Sequence, residues 1–224
     1  MSAYLAMIRR DFKLAFRRRA ELLMPLAFAV LVVMLFSISL GGSAARLAPI
    51  AAPVIWVTVL LSGFLSLEGL FRPDVEDGTL DHWLAGPTSM VGLMYSKAFA
   101  HWLLHGLGLT LATPLLALLL KLPSELLPVM LAALAIGTLG ATQIGLIAAA
   151  LTARLRRSGI LLAVIELPLY LPLLIFGSGA VEAVRLGDSP RGALLLLSAQ
   201  TLLLLTLAAP AAAAGLKIGS DNPP

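Results

Sequence analysis

The sequence predicts an all-α, polytopic membrane protein with six transmembrane helices and an interfacial amphipathic helix in front of them. Its composition is the first observation: 59% of the 224 residues are hydrophobic and 12% are charged, whereas soluble domains have about 25% charged residues. Arrangement is the second, because the apolar residues form six runs of about the 20 residues that cross a bilayer. Only short polar segments separate these runs, so no soluble domain fits between them.

The first predicted element is an amphipathic helix over 4–20 that lies in the plane of the membrane interface. At about 100° per residue, its aromatic and aliphatic side chains share one face and its basic side chains share the other. The apolar face has Tyr4, Leu5, Ile8, Phe12, Ala15 and Phe16, and the basic face has Arg9, Arg10, Lys13 and Arg17. Such a helix either anchors the first span or acts as an elbow that transmits movement.

The spans are predicted at about 22–41, 49–70, 98–120, 126–152, 160–181 and 192–215. Together with the amphipathic helix they form a single transmembrane permease domain over 1–218, and the polar tail 219–224 is expected to be disordered. A cleaved signal peptide is the alternative for the first run. Residues 22–40, however, are longer than the roughly 7–15 apolar residues of a signal peptide.

Lysine and arginine predict the orientation, since cytoplasmic loops are enriched in both. With both termini inside, 12 of the 16 basic residues are on the inner side, and the outer side has Arg46, Lys121, Arg185 and Arg191. We therefore expect both termini, the 71–97 segment and the 153–159 segment to be cytoplasmic.

An acidic connection follows the second span, in the stretch Leu65–Trp83. Its charge is unusual for an inner loop, which favours a surface that docks a basic soluble partner. The predicted docking residues are Phe71, Arg72, Asp74, Glu76, Asp77 and Gly78. The alternative is a solvated turn whose carboxylates merely offset Arg72 and Lys97.

Three polar residues inside predicted spans, Glu68, His101 and Glu166, have an uncertain role. Ionisable groups at such positions normally face the bundle interior or a cavity. Glu68 can pair with Arg72 at i+4, and Glu166 is either protonated and hydrogen-bonded or lines a polar path. His101 and His105 are one turn apart and are expected to hydrogen-bond neighbouring helices rather than to bind a metal.

The sequence lacks the motifs of an enzyme with its own energy source. It contains no G-x-x-x-x-G-K-[ST], no H-E-x-x-H and no cysteine, so neither a P-loop, this zinc-protease motif nor a thiolate site is expected. We predict no catalytic residue and no metal site. The fourth span has Gly137, Ala141 and Gly145 on one stripe, which allows close helix packing, either within the chain or between subunits.

Several segments resemble the haem exporter protein B (CcmB) family in compatible order from end to end. They are AELLMPLAF (20–28), APVIWV (52–57), LSLEGLFRPDVEDGTLDHWL (65–84), KAFAHWLLHGL (97–107), LPLYLPLLIFGSGA (167–180) and AAAAGLKI (211–218). Glu166 departs from the family, which usually has an aliphatic residue there, and His105 lies outside the family's AHW pattern, which includes His101.

The resemblance implies an ABC-2-type membrane subunit of the bacterial inner membrane that serves cytochrome c maturation. It implies an ATPase subunit (CcmA) that binds ATP and Mg²⁺, a haem-handling membrane subunit (CcmC), a small membrane protein (CcmD) and, indirectly, the haem chaperone CcmE. No nucleic-acid partner is expected, and haem is handled by the complex, with no cofactor assigned to this subunit directly. Two rivals stay open: an ABC-2 permease for another substrate, such as a drug or lipid, and an integral membrane enzyme.

Overall fold

The computed structural model of the chain describes residues 3–67, 69–155 and 158–221. Within these ranges the chain forms helices and no strand, which confirms the all-α fold class. Six helical stretches of this described part are long and apolar enough to cross a membrane. The predicted number of spans is therefore confirmed, and the protein is a multi-pass membrane protein.

In chain order the helices are α1 (Ala3–Arg17), α2 (Arg19–Ser39), α3 (Ala44–Leu47), α4 (Ala51–Leu67), α5 (Arg72–Glu76), α6 (Thr79–Ala85), α7 (Met90–His101), α8 (Leu107–Leu119), α9 (Leu127–Thr152), α10 (Ser158–Arg185) and α11 (Arg191–Asp221). Short 3₁₀ turns precede α4 and α9, and a π-helical turn, Trp102–Gly106, joins α7 to α8. The spans are α2, α4, α7 with α8, α9, α10 and α11.

Several boundaries differ from those predicted, and three of them bear on the interpretation of the sequence. Helix α1 ends at Arg17 instead of residue 20, because Arg18 leaves the helical region and precedes α2. The third span begins at Met90 instead of 98, since Lys97, which had marked a loop, lies inside α7 and is buried. Helix α11 continues to Asp221, so residues 219–221 of the predicted disordered tail are helical. Residues 222–224 lie outside the described part of the chain.

Helix α9 is the most buried span and packs against α4, α8, α10 and α11. Its small residues admit large side chains of α4. The indole ring of Trp56 fills the space where a Cβ at Gly137 or at Gly177 of α10 would lie, and Leu67 does the same at Gly145. The predicted close approach is thus confirmed, and it serves packing within the chain.

The third span has an irregularity that was not predicted. Its π-helical turn, Trp102–Gly106, widens the helix between the two histidines, and such turns are frequent at functional sites. Trp102 Nε1 donates to Thr138 Oγ1 of α9 at 3.2 Å, which fixes the turn against the central helix. His101 and His105 still share a face, with ring centroids 4.7 Å apart.

A separate apolar cluster joins the N-terminal helix to the acidic segment. Met7 of α1, Phe71, Leu80 of α6 and Met94 of α7 are buried in it beside residues of α9 and α11. Helix α1, the segment 71–89 and the α9–α10 connection therefore lie at the same end of the bundle, which we call the α1 end.

Candidate partner-docking site

The segment 71–89 folds into two short helices, α5 and α6, that meet at a tight turn. Gly78 makes this turn with φ of 75°, a left-handed conformation that suits glycine. The backbone N–H of Thr79 donates to Asp77 Oδ1 at 2.9 Å, as in an Asx turn. The pKa of Asp77 is lowered by hydrogen bonding from the side chain and the backbone of Thr79.

Two apolar side chains hold this segment on the bundle. Phe71, before α5, and Leu80, in α6, are 2% and 1% exposed and belong to the cluster with Met7 and Met94. Burial of each such side chain contributes about 1.5–3 kcal/mol. Phe71, a predicted docking residue, therefore packs the segment against the bundle. Almost none of its side chain is exposed for contact with a partner.

Asp74 is the buried centre of an ion-pair cluster. Its carboxylate is fully buried and accepts hydrogen bonds from Arg10 Nη2 of α1 and from Lys97 Nζ of α7, the latter at 2.5 Å. Asp11 Oδ2 lies 3.5 Å from the same Nζ. Two cations thus face two carboxylates, which offsets the desolvation of each charge.

This geometry corrects the prediction that Asp74 docks a basic cleft on a partner. Its charge is already neutralised within the chain, and no part of its side chain reaches the surface. Lys97 is one of the two cations that the alternative interpretation had assigned to the carboxylates. The other, Arg72, pairs with Glu76, so both ion pairs agree with the alternative interpretation.

Aromatic rings complete the cluster. Trp83 of α6 lies under the Arg10 guanidinium, with Cζ 5.4 Å from the ring centroid, and under Lys97 Nζ at 5.7 Å. Lys97 Nζ is also 5.4 Å from the Phe71 ring. Cation–π attraction adds about 0.5–2 kcal/mol in partly desolvated sites. Burial opposes the charge of Arg10, but its bonds to Asp74 prevail and raise its pKa above the ordinary value.

The exposed surface of the segment is acidic. Glu76 is exposed and receives a hydrogen bond from Arg72 Nε at 3.1 Å, and Asp77 is exposed beside it. Asp81 of α6 accepts from Arg154 Nη2 at 2.5 Å, a contact that brings the α9–α10 connection against the segment. The predicted docking set thus divides into the exposed Arg72, Glu76 and Asp77, the half-buried Gly78 of the turn, and a supporting part, Phe71 and Asp74.

Helix α1 uses three faces, where the sequence predicted two. Tyr4 and Met7 face the bundle, with the Tyr4 ring against Gly92 of α7. Leu5 and Phe16 stay exposed, as a lipid-facing stripe requires. Arg10, predicted on the basic face, instead turns towards the buried carboxylate of Asp74. It can do so because it borders the stripe of α1 that faces the bundle.

The predicted intramembrane residues that the structure describes, His101 and Glu166, have separate hydrogen-bond partners. Glu68 lies outside the described residues. His101 Nε2 is 3.0 Å from Ser66 Oγ of α4, so the predicted hydrogen bond to a neighbouring helix is confirmed. Tyr170 donates to Glu166 Oε2 at 2.6 Å within α10. Among the residues that the structure describes, no group of three His, Asp or Glu side chains could hold a metal ion.

Sequence reasoning missed Arg10, Asp11 and Trp83 as members of the site, and Ser66 and Tyr170 as partners of the buried groups. Arg10 and Asp74 are 64 positions apart, and no periodicity connects such a pair. Trp83 and Lys97 do lie in the segments that carry the family resemblance. That placement is the signal that could have drawn attention to them.

Known proteins are similar to this chain over nearly its whole length. The family model described as CcmB protein matches residues 2–219. The chain is 46% identical over 212 residues to the heme exporter protein B of Pseudomonas aeruginosa, covering 95% of each chain. It is 42% identical over 213 residues to that of Paracoccus denitrificans, covering 95% of this chain and 98% of the other.

The heme exporter protein B of Escherichia coli K12 is more distant, at 39% identity over 215 residues, or 94% of this chain and 96% of the other. The similarity thus extends over the spans, the acidic segment and the N-terminal helix alike. Because the family model covers nearly the whole chain and these relatives match it from end to end, this membrane protein belongs to the CcmB family.

Proposed function

We propose that this chain is the membrane subunit of an ABC-type complex for cytochrome c biogenesis. In this role it couples ATP hydrolysis by a partner ATPase to haem handling and to release of a haem-loaded chaperone. Family membership supports the proposal, since the relatives carry the name heme exporter protein B. The chain itself supplies no catalytic residue in this scheme; the partner binds ATP and Mg²⁺.

The supporting observation is the construction of the acidic segment. Glu76 and Asp77 are exposed on its outer side, while Phe71 and Asp74 fix its inner side to α1 and α7. A basic cleft on the ATPase would meet the two exposed carboxylates. Because the segment is joined to the N-terminal helix and the third span, a displacement imposed on it is passed to both, as coupling between sites requires.

The partners and orientation follow from the same proposal. The α1 end faces the cytoplasm of a bacterium, with both chain termini inside, and the ATPase (CcmA) docks there. The haem-handling subunit (CcmC) and the small membrane protein (CcmD) contact the lipid-facing sides of the spans. The chaperone CcmE is reached indirectly on the opposite side.

An ABC-2 permease for a lipid or drug is the second candidate. An apolar groove of about 170 Å³ between α4 and α10, lined by Leu61, Leu167 and Leu171 among others, favours it. Such a groove accommodates an acyl chain. The two functions differ in whether loss of the subunit stops cytochrome c maturation.

Charge reversal of the exposed carboxylates tests the docking step. In Glu76→Lys/Asp77→Lys, like charges meet across the interface, which costs several kcal/mol. The permease should stay at its normal level, the ATPase should no longer copurify, and cytochrome c maturation should fail. Two controls, Glu76→Gln/Asp77→Asn and the opposite-end variant Glu125→Lys, should retain the ATPase.

The outcomes separate the candidates. Retention of the ATPase by the double lysine variant, with maturation intact, would contradict docking through this segment. Release of the ATPase while cytochrome c maturation continues would support docking through this segment. It would also favour the lipid or drug permease over a role in cytochrome c biogenesis.

A further inference from the structure

Glu166 is a carboxyl group inside a membrane-spanning helix, in the third turn of α10. It is fully buried in α10, Tyr170 donates to its Oε2 at 2.6 Å, and its Oε1 is buried without a protein partner. An ionisable group inside a membrane span is costly and normally belongs to a functional path. Neither the docking segment nor its ion-pair cluster uses this residue.

Two cavities lie between Glu166 and the α1 end. The larger, of about 210 Å³, is a crevice between α1, α4 and α7 that His101 and His105 line at its inner limit. The smaller, of about 20 Å³, is also lined by His101 and His105 and reaches Thr142 and Tyr170. The two histidines therefore separate the crevice from a small chamber that ends at the tyrosine bound to Glu166.

The small cavity suits one water molecule. A site of at least about 10–15 Å³ with two or more polar partners holds a water. Thr142 Oγ1 donates to Thr138 O at 2.9 Å and keeps its acceptor capacity. His101 Nδ1 is buried with no protein partner, in a side chain 7% exposed, and the Tyr170 hydroxyl can accept while it donates to Glu166.

The other charges near this region lie in the crevice. Its lining includes Arg10, Arg18, Lys97, Asp11 and Asp74, and Arg10 and Lys97 pair there with the two carboxylates. The described parts of α4 and α9 carry no ionisable side chain, and the lysine, arginine and aspartate of α11 lie near its ends. Among the residues that the structure describes, the histidines and Tyr170 are thus the titratable groups between the crevice and Glu166.

We propose that the small cavity is a water site through which the Glu166 carboxyl exchanges its proton with the α1 end of the bundle. A proton enters from the crevice at the histidines and passes to the cavity water. The water gives a proton to the Tyr170 hydroxyl oxygen as that hydroxyl gives its own proton to Glu166 Oε2. Each oxygen gains one proton as it loses one, so Glu166 becomes neutral and no other group changes charge.

The small cavity would therefore bind one water molecule and pass a proton. This inference does not depend on the proposed haem function. Proton exchange through this site would make the charge of Glu166 follow the pH at one membrane surface. A carboxyl sealed in the bundle, with only a structural bond to Tyr170, would instead keep its proton.

Infrared spectroscopy of the full-length protein in nanodiscs tests the inference. The carbonyl stretch of a protonated Glu166 is identified as the band lost in Glu166→Gln and kept in the control Glu125→Gln. Its shift in D₂O reports proton exchange. Exchange should be rapid in the parent protein and about tenfold slower in Tyr170→Phe and Thr142→Val, the factor that loss of one buried hydrogen bond represents.

A plug in the crevice gives a second measurement without altering the buried residues. The chain contains no cysteine, so Ala15→Cys, at the crevice wall, can be modified with a bulky methanethiosulfonate. Modification should slow exchange at Glu166, and the same treatment of Ser189→Cys at the opposite end should not. The inference is overturned if no acid band belongs to Glu166 at any pH from mildly acidic to mildly alkaline. It is also overturned if exchange is equally fast in the tyrosine, threonine and plugged variants.

Discussion

Lys97 and Asp74 are 23 positions apart in the chain, and a 2.5 Å hydrogen bond joins the Lys97 ammonium to the Asp74 carboxylate in a buried site. Asp74 belongs to the segment that faces solvent, and Lys97 belongs to a membrane span. The pair therefore ties the outermost element of the α1 end to the bundle, and Arg10 adds the N-terminal helix to the same carboxylate.

Asp74→Asn should destabilise the α1 end by about 3–5 kcal/mol, because breaking a buried pair leaves an uncompensated charge. Thermal unfolding of the purified subunit, followed by tryptophan fluorescence, measures the loss. The matched control is Glu76→Gln, which removes an exposed pair worth about 0–1 kcal/mol. Equal melting temperatures for the two variants would contradict a supporting role for Asp74.

Gly177→Ala should destabilise the packing of α10 on α4, because the added methyl group overlaps the buried indole of Trp56. Overpacking of this kind costs about 1–3 kcal/mol. Gly179→Ala, two residues along the same helix, meets no atom within 4 Å and should be neutral. Thermal unfolding compares the two, and a stable Gly177→Ala would show that Trp56 can move aside.

Acid should loosen the first turn of α6. Because hydrogen bonding from Thr79 lowers the pKa of Asp77 in the folded chain, its contribution is present above the ordinary aspartate pKa. That contribution is lost as the pH falls through the lower, folded value. Hydrogen exchange of the 77–85 peptide, corrected for intrinsic rates, should therefore quicken on acidification. Asp77→Asn, which also supports such turns, should abolish this dependence; an unchanged dependence would assign it to another group.

Single cysteines at Ser43, Ser124, Ser158 and Ser189 test the predicted orientation, which rests on the distribution of lysine and arginine. An impermeant thiol reagent applied to whole cells should label positions 43, 124 and 189 and spare 158. Labelling of 158 alone would reverse the topology and place the α1 end outside.

His101→Ala should leave the absorption spectrum of any haem that copurifies with the complex unchanged. His101 Nε2 is engaged with Ser66, and the adjacent His105 is on the same helix face, so the pair cannot clamp opposite sides of a porphyrin. A shifted Soret band at a normal level of complex would make His101 a haem ligand.

The fold was predictable because membrane spans can be recognised in a sequence from the length and hydropathy of their apolar runs. The six spans and the small-residue stripe at Gly137 and Gly145 follow from such local patterns. The start of the third span was misplaced because Lys97 was interpreted as a loop residue. A buried lysine inside a helix is understandable only when its carboxylate partner is known.

The sequence drew attention to the segment of the candidate site, but it did not show how the side chains of that segment are arranged. Charge composition pointed to the segment around Asp74, Glu76 and Asp77, yet composition does not say which carboxylates face inward. Asp74 is internal because α5 turns it towards Arg10 and Lys97, and both contacts span long stretches of sequence. Helical periodicity likewise gave α1 two faces, because its third face exists only against α7.

The shared carboxylate also sets an order for biosynthesis. Arg10 leaves the ribosome before Asp74 and Lys97, which emerge only after the first two spans have been made. Helix α1 therefore cannot be joined to the third span through this cluster until Lys97, at the start of that span, has been made. The cluster of Arg10, Asp74 and Lys97 can thus form only after the first two spans and the start of the third have been made.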